Sequence, residues 1–82
     1  MSDFIEVIPI ANKSYYFSFR KNETNRGDEY YVVTLDGEDA ISFQMKEQEK
    51  GIWKITTSTP HWIKKIEDRL STAITIRHKL KI

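Results

Sequence analysis

Histidine and cysteine are the side chains that most often carry metal or nucleophilic chemistry, and this chain has few of them. Its two histidines, His61 and His78, lie far apart. Neither has another histidine three or four residues away, the spacing by which a helix holds a metal. The chain has no cysteine, and its three glycines are too widely spaced for a phosphate-binding loop. We therefore expect no metal site and no cofactor.

Adjacent carboxylates occur twice, at Glu38–Asp39 and Glu67–Asp68. Catalysis by paired carboxylates requires two groups in one cleft with separated proton affinities. The surrounding pattern instead puts the first pair at a hairpin tip and the second on the solvent side of a helix. Solvated charge is the stronger interpretation of both pairs, and we expect the chain not to be an enzyme.

The bulk composition is that of one small domain, which we assign to residues 1–82. Hydrophobic residues make up 39% of the chain and charged residues 30%, with a net charge of +1. The early apolar run Phe4–Ala11 is interrupted by Glu6 and Pro9, and no run approaches the ~20 apolar residues of a membrane span. We expect no signal peptide, no membrane contact and a cytoplasmic location.

Alternation of apolar and polar residues dominates the chain from Phe4 to Thr57, and a helical pattern follows from Pro60. The alternation predicts strands over residues 4–10, 14–21, 29–35, 40–46 and 52–57, separated by polar turns or loops. Pro9 cannot donate to a sheet ladder, so the first strand should lie at an edge. The order predicts an α+β fold, an antiparallel sheet of about five strands packed on one face by a single C-terminal helix.

The helix should begin with Thr59 as its cap and Pro60 in its first position. Three- and four-residue spacings then predict one buried stripe, formed by Trp62, Ile63, Ile66, Leu70, Ala73 and Ile74. From Ile74 to Ile82 apolar and polar residues alternate again. We favour a helix that ends near residues 72–75, followed by an extended tail able to add a sixth strand. Continuation of the helix is the alternative.

The Asp36–Gly37 pair between two strand-like runs predicts a hairpin. Its second strand should bury Ile41, Phe43 and Met45. Its first strand can bury either Tyr31, Val33 and Leu35 or Tyr30, Val32 and Thr34. We favour the first set because Leu35 is more apolar than Thr34, although a two-residue loop would select the second.

That choice of register predicts a sheet face with aromatic rings and cations pointing to solvent. Its candidate binding residues are Tyr16, Ser18, Arg20, Tyr30, Val32 and Lys54. Such a mixture suits a protein partner or a homodimer, since tyrosine and arginine are common at interface centres. Single-stranded nucleic acid is the alternative, through base stacking, but the small net charge and the acidic stretch 28–39 argue against it. A purely structural role for these strand-forming residues also stays open.

Overall fold

The computed structural model describes residues 3–79, which form a five-stranded antiparallel sheet followed by a helical segment. The strands are β1 (Phe4–Ile10), β2 (Lys13–Thr24), β3 (Gly27–Asp36), β4 (Asp39–Glu49) and β5 (Ile52–Ile55), and the helices are α1 (His61–Lys64) and α2 (Glu67–Lys79). Each strand pairs with the next along the chain, in the order β1-β2-β3-β4-β5. The predicted α+β class, with one face of a curled sheet covered by the C-terminal helix, is confirmed.

The loop predicted over residues 22–28 is wrong, because β2 and β3 form a long hairpin there. Thr24 pairs with Gly27, which leaves a turn of only two residues, Asn25 and Arg26. The Thr24 hydroxyl donates to the Gly27 carbonyl at 2.6 Å and accepts the Arg26 N–H at 3.2 Å. The exposed polar side chains of residues 22–28 therefore belong to the end of a β-ladder that extends beyond the core, and they do not form a loop.

The register predicted for β3 is also wrong. Asp36 pairs with Asp39, so the Asp36–Gly37 hairpin has a two-residue loop, in which Gly37 adopts a φ of +65°. This loop places Thr34 opposite Ile41 on the core side, together with the buried Tyr30 and Val32. Burial of Thr34 is possible because its hydroxyl donates to the Tyr16 carbonyl at 2.9 Å. Loop length decides the register here, and the difference in polarity between Thr34 and Leu35 does not.

The helical segment differs from expectation at both ends. Pro60 occupies the N-cap position of α1 and no side chain caps it, so the predicted cap by Thr59 is wrong. α2 continues to Lys79, so the extended tail is wrong over residues 74–79, while residues 80–82 of the proposed sixth strand lie outside the described residues. No glycine or proline interrupts the chain after Ile74, and the helix therefore runs on.

The core lies between the sheet and the helical segment, and five of the thirteen apolar residues buried among residues 3–79 are aromatic. Tyr30 meets Trp53 edge-on with ring centroids 5.2 Å apart, and Phe4 stacks on Phe19 at 4.5 Å. The predicted helical stripe is confirmed: Trp62 is half-buried, and the other members are buried. In a cysteine-free chain this ring packing takes the place of covalent cross-links.

Candidate interaction surface

Large apolar side chains cover the sheet face that the helix leaves open. We call this set the outer-face patch, and it consists of Ile5, Val7, Tyr16, Tyr31, Val33 and Leu35. The exposed fraction of these side chains ranges from 41% at Val33 to 65% at Tyr16. Each lies in strand β1, β2 or β3 and is flanked along its strand by more buried residues, because successive side chains point to opposite faces.

The outer-face patch is continuous across three neighbouring strands. Val7 of β1 is paired with Tyr16 of β2, which lines one shallow depression together with Val33 and Leu35 of β3. Ser18 lies between Ile5 and Val33 in the register, and its small side chain leaves their side chains accessible. From the exposed fractions, the patch presents on the order of 600 Å² of accessible surface, at the upper end of what isolated proteins expose in one apolar area.

The predicted binding residues divide into two groups in the structure. Tyr16, Ser18, Arg20 and Lys54 all have exposed side chains on the outer face. The placement of Tyr30 and Val32 on that face is wrong, because their exposed fractions are 1% and 0%. They pack in the core.

Their neighbours take the places predicted for Tyr30 and Val32. Tyr31 lies opposite Arg20 in the register, and Val33 lies opposite Ser18. Sequence reasoning missed these two residues and Leu35. The two-residue Gly37–Glu38 loop is the signal that could have identified them, since its length fixes which residues of β3 face outward.

The two predicted cations of the outer face, Arg20 and Lys54, each lie close to a carboxylate. Arg20 Nε is 3.6 Å from Asp3 Oδ2, and Lys54 Nζ is 3.7 Å from Glu67 Oε1. Arg20 is at the end of the patch near Tyr31, whereas Lys54 is on β5, two strands beyond β3. The patch itself contains no charged side chain.

The β5 edge of the sheet is closed by side chains of α2. The N–H of Trp53 donates to Ser71 Oγ and that of Ile55 to Glu67 Oε2, both at 2.8 Å. The Thr75 hydroxyl donates to the Gly51 carbonyl at 2.9 Å. These bonds use the backbone groups with which an added strand would pair, so this edge is protected from strand addition.

The prediction that Glu67 lies on the solvent side of the helix is wrong: Glu67 is buried against β5, and this arrangement holds it as a carboxylate. Burial raises its pKa, but the hydrogen bond from the Ile55 N–H and the ammonium groups of Lys64 and Lys54 together outweigh burial and lower the pKa below its usual value. Lys64 Nζ lies 3.2 Å from Glu67 Oε2. A carboxylate with this set of donors is occupied in joining the helix to the sheet, and it is poorly suited to proton transfer near neutral pH.

At the opposite edge β1 is only partly available. Pro9 has no N–H, and its carbonyl accepts a hydrogen bond of 2.7 Å from Arg69 Nη1 of α2. Strand addition to β1 could therefore use only the stretch before Pro9. Among residues 3–79, the outer-face patch contains six of the eight exposed large hydrophobic residues.

Two further features bear on function. Within residues 3–79, no group of three or more histidine, aspartate or glutamate side chains is arranged to hold a metal ion. None of the helices in that range is long and apolar enough to cross a bilayer. Comparisons of the chain with protein-family models, curated proteins and solved structures found no match.

Proposed function

We propose that this chain is a non-catalytic interaction module that binds protein through its outer-face patch, with a second copy of the chain as the partner. The observation that carries the proposal is the exposure of six large apolar side chains on three adjacent strands. Removing this surface from water is favourable by roughly 25 cal/mol per Å², provided that a partner covers it.

The size of the patch agrees with a stable dimer. A standard protein interface buries about 800 Å² on each partner, with an apolar centre and a polar rim. The patch would supply most of that area, and Arg20 and Ser42 border it as rim residues. Two such sheets can stack face to face in the manner of a β-sandwich.

Charge favours a second copy over a strongly charged partner. Because the patch contains no charged side chain, two copies can meet there without repulsion at the centre. The net charge of +1 leaves little long-range repulsion between molecules. In a two-fold dimer the same patch serves both partners, so no second complementary surface is required.

The structure gives less support to binding of single-stranded nucleic acid than the sequence pattern did. Tyr30 cannot stack on a base because it is buried, and Arg20 and Lys54 each lie near a carboxylate. Tyr16 and Tyr31 could still stack, and nucleic-acid binding is therefore an outcome that the experiment must detect.

The proposed setting is the cytoplasm. A cysteine-free domain that is held together by aromatic packing does not depend on an oxidising compartment for its stability.

Sedimentation velocity across a wide range of protein concentrations tests the proposal. The wild type should shift from monomer to dimer as concentration rises. Leu35→Glu should remain monomeric, because dimerisation would bury two uncompensated charges. Ile76→Glu is the matched control, since it makes the same kind of change at a comparably exposed apolar residue of α2.

A wild type that stays monomeric at the highest concentration would refute self-association. Equal loss of dimer in Leu35→Glu and Ile76→Glu would refute the assignment to the outer face. Labelled single-stranded DNA is titrated in parallel at two salt concentrations. The nucleic-acid alternative would be favoured if the wild type stays monomeric and binds the DNA, if this binding weakens steeply with salt, and if Arg20→Gln abolishes it.

A further inference from the structure

A second apolar depression lies between β1 and α2, separate from the centre of the outer-face patch. It is a groove of about 410 Å³ with an apolar lining from Val7, Ile8 and Pro9 of β1 and from Ala73 and Ile76 of α2. Its polar lining consists of Glu6, Arg69 and Thr72, so one carboxylate and one guanidinium border the apolar surface. Ile8 and Ala73 are buried and form its floor, whereas Ile76 is 53% exposed. The groove therefore exposes apolar surface beside a strand edge.

The outward backbone groups of β1 before Pro9 pair with no strand among residues 3–79. Arg69 of α2 bonds to the Pro9 carbonyl, so this carbonyl points away from β2. Backbone groups of a strand alternate in direction, and the N–H and C=O groups of Ile5 and Val7 must point the same way. Among residues 3–79 no strand pairs with that side of β1, which is the first strand of the sheet.

Two arginines of α2 lie along this side of β1. Arg69 lines the groove and donates to the Pro9 carbonyl, whereas Arg77 lies outside the groove lining, with its guanidinium 5.0 Å from the centre of the Phe4 ring at the start of β1. Neither forms an ion pair within residues 3–79. A guanidinium has five N–H donors, so both retain donors for an incoming carboxylate.

From this geometry we infer that the groove binds an extended peptide segment of another protein, added as a strand to the edge of β1 before Pro9. Its side chains follow the order acidic, any, apolar, any, acidic. The apolar side chain lies on Ile8 and Ala73 beside Ile76, while the two acids meet Arg69 and Arg77. Strand addition beside a helix uses main-chain bonds for affinity and side-chain pockets for specificity.

The spacing supports this pattern of side chains. Arg69 and Arg77 are about two helical turns apart in α2, roughly 12 Å. In an extended peptide, first and fifth residues are roughly 13 Å apart and point to the same side as the third. Both arginines and the groove floor can therefore be reached by one five-residue segment.

The inference does not depend on self-association through the outer face. The two sites share Val7, but Leu35 of β3 does not line the groove and Ile76 of α2 does not belong to the outer-face patch. The two glutamate variants thus separate the two sites: Leu35→Glu should affect only the dimer, and Ile76→Glu only the peptide.

Amide chemical-shift titration of the labelled full chain tests the inference, with the acetylated and amidated peptide Glu-Thr-Leu-Thr-Glu as the probe. We expect saturable shifts at Ile5, Val7, Ala73 and Ile76. Ile76→Glu should weaken binding at least tenfold, and Leu35→Glu should leave it unchanged. Two control peptides, one with lysines for the glutamates and one with serine for the leucine, should each bind at least tenfold more weakly.

Three results would overturn the inference. The first is absence of saturable shifts in the groove at millimolar peptide. The second is equal binding of the lysine peptide, which would remove the role of the arginines. The third is that Ile76→Glu fails to form the dimer that the wild type forms, which would show that a second copy of the chain occupies the groove.

Discussion

The hydrogen bond between Trp53 and Ser71 gives a sharp test of how the helix closes the sheet. Ser71 is buried, and its Oγ accepts the Trp53 N–H at 2.8 Å. Ser71→Ala removes the acceptor and leaves that backbone N–H buried without a partner. An unsatisfied buried donor lowers the free energy of unfolding by about 1–3 kcal/mol. The better helix propensity of alanine offsets about 0.5 kcal/mol of this loss.

The next residue of α2 provides the matched control. Thr72 is exposed, and its hydroxyl donates to the Asp68 carbonyl within the same helix at 3.0 Å. Thr72→Ala removes a hydroxyl without leaving a buried donor, so its free energy of unfolding should change by less than about 0.5 kcal/mol. The two variants differ in the bond to β5 and in little else.

Thermal unfolding by circular dichroism measures the difference. In a domain of this size 1 kcal/mol corresponds to a shift in Tm of about 4–8 °C. The net loss of about 0.5–2.5 kcal/mol should therefore lower the Tm of Ser71→Ala by about 2–20 °C. All samples must have the same protein concentration, because dimerisation would add to the apparent stability. Equal Tm values for Ser71→Ala and Thr72→Ala would refute the reasoning.

Two further predictions concern Glu67 and Gly37. The folded-state pKa of Glu67 is lowered, so its stabilisation is fully present above its unfolded pKa of about 4.5 and is lost as pH falls through the lowered value. Glu67→Gln should therefore lower the free energy of unfolding by about 1–2 kcal/mol at pH 7, and urea titrations at successive pH values should show this deficit shrinking in acid. Gly37→Ala should cost about 1–2 kcal/mol in urea unfolding because Gly37 has a φ of +65°, whereas Gly37→Asn should cost less; equal losses would contradict the assigned turn.

The order of the elements could be predicted from the sequence because hydrophobic periodicity reports directly on strands and helices. β2 and β4 alternate so regularly that their buried residues Phe17, Phe43 and Met45 follow from the pattern alone. The α2 stripe could be found for the same reason. Each of these features depends on side chains that are close in sequence.

The candidate surface could not be predicted fully, because it depends on contacts that are distant in sequence. Tyr31 and Tyr30 are equally plausible outward residues until the hairpin loop is known to have two residues. Thr34 is buried only because the Tyr16 carbonyl of the neighbouring strand accepts its hydroxyl. The closed edge of β5 likewise depends on Ser71 and Glu67 of a helix that begins later in the chain.

The most direct test of the proposed function is an isotope-filtered nuclear Overhauser experiment on a mixture of labelled and unlabelled chains. The proposal predicts intermolecular contacts between the methyl groups of Val33 and Leu35 and the rings of Tyr16 and Tyr31. Absence of intermolecular contacts at concentrations where sedimentation shows dimer, or contacts confined to Ile76 and its neighbours, would contradict binding through the outer face.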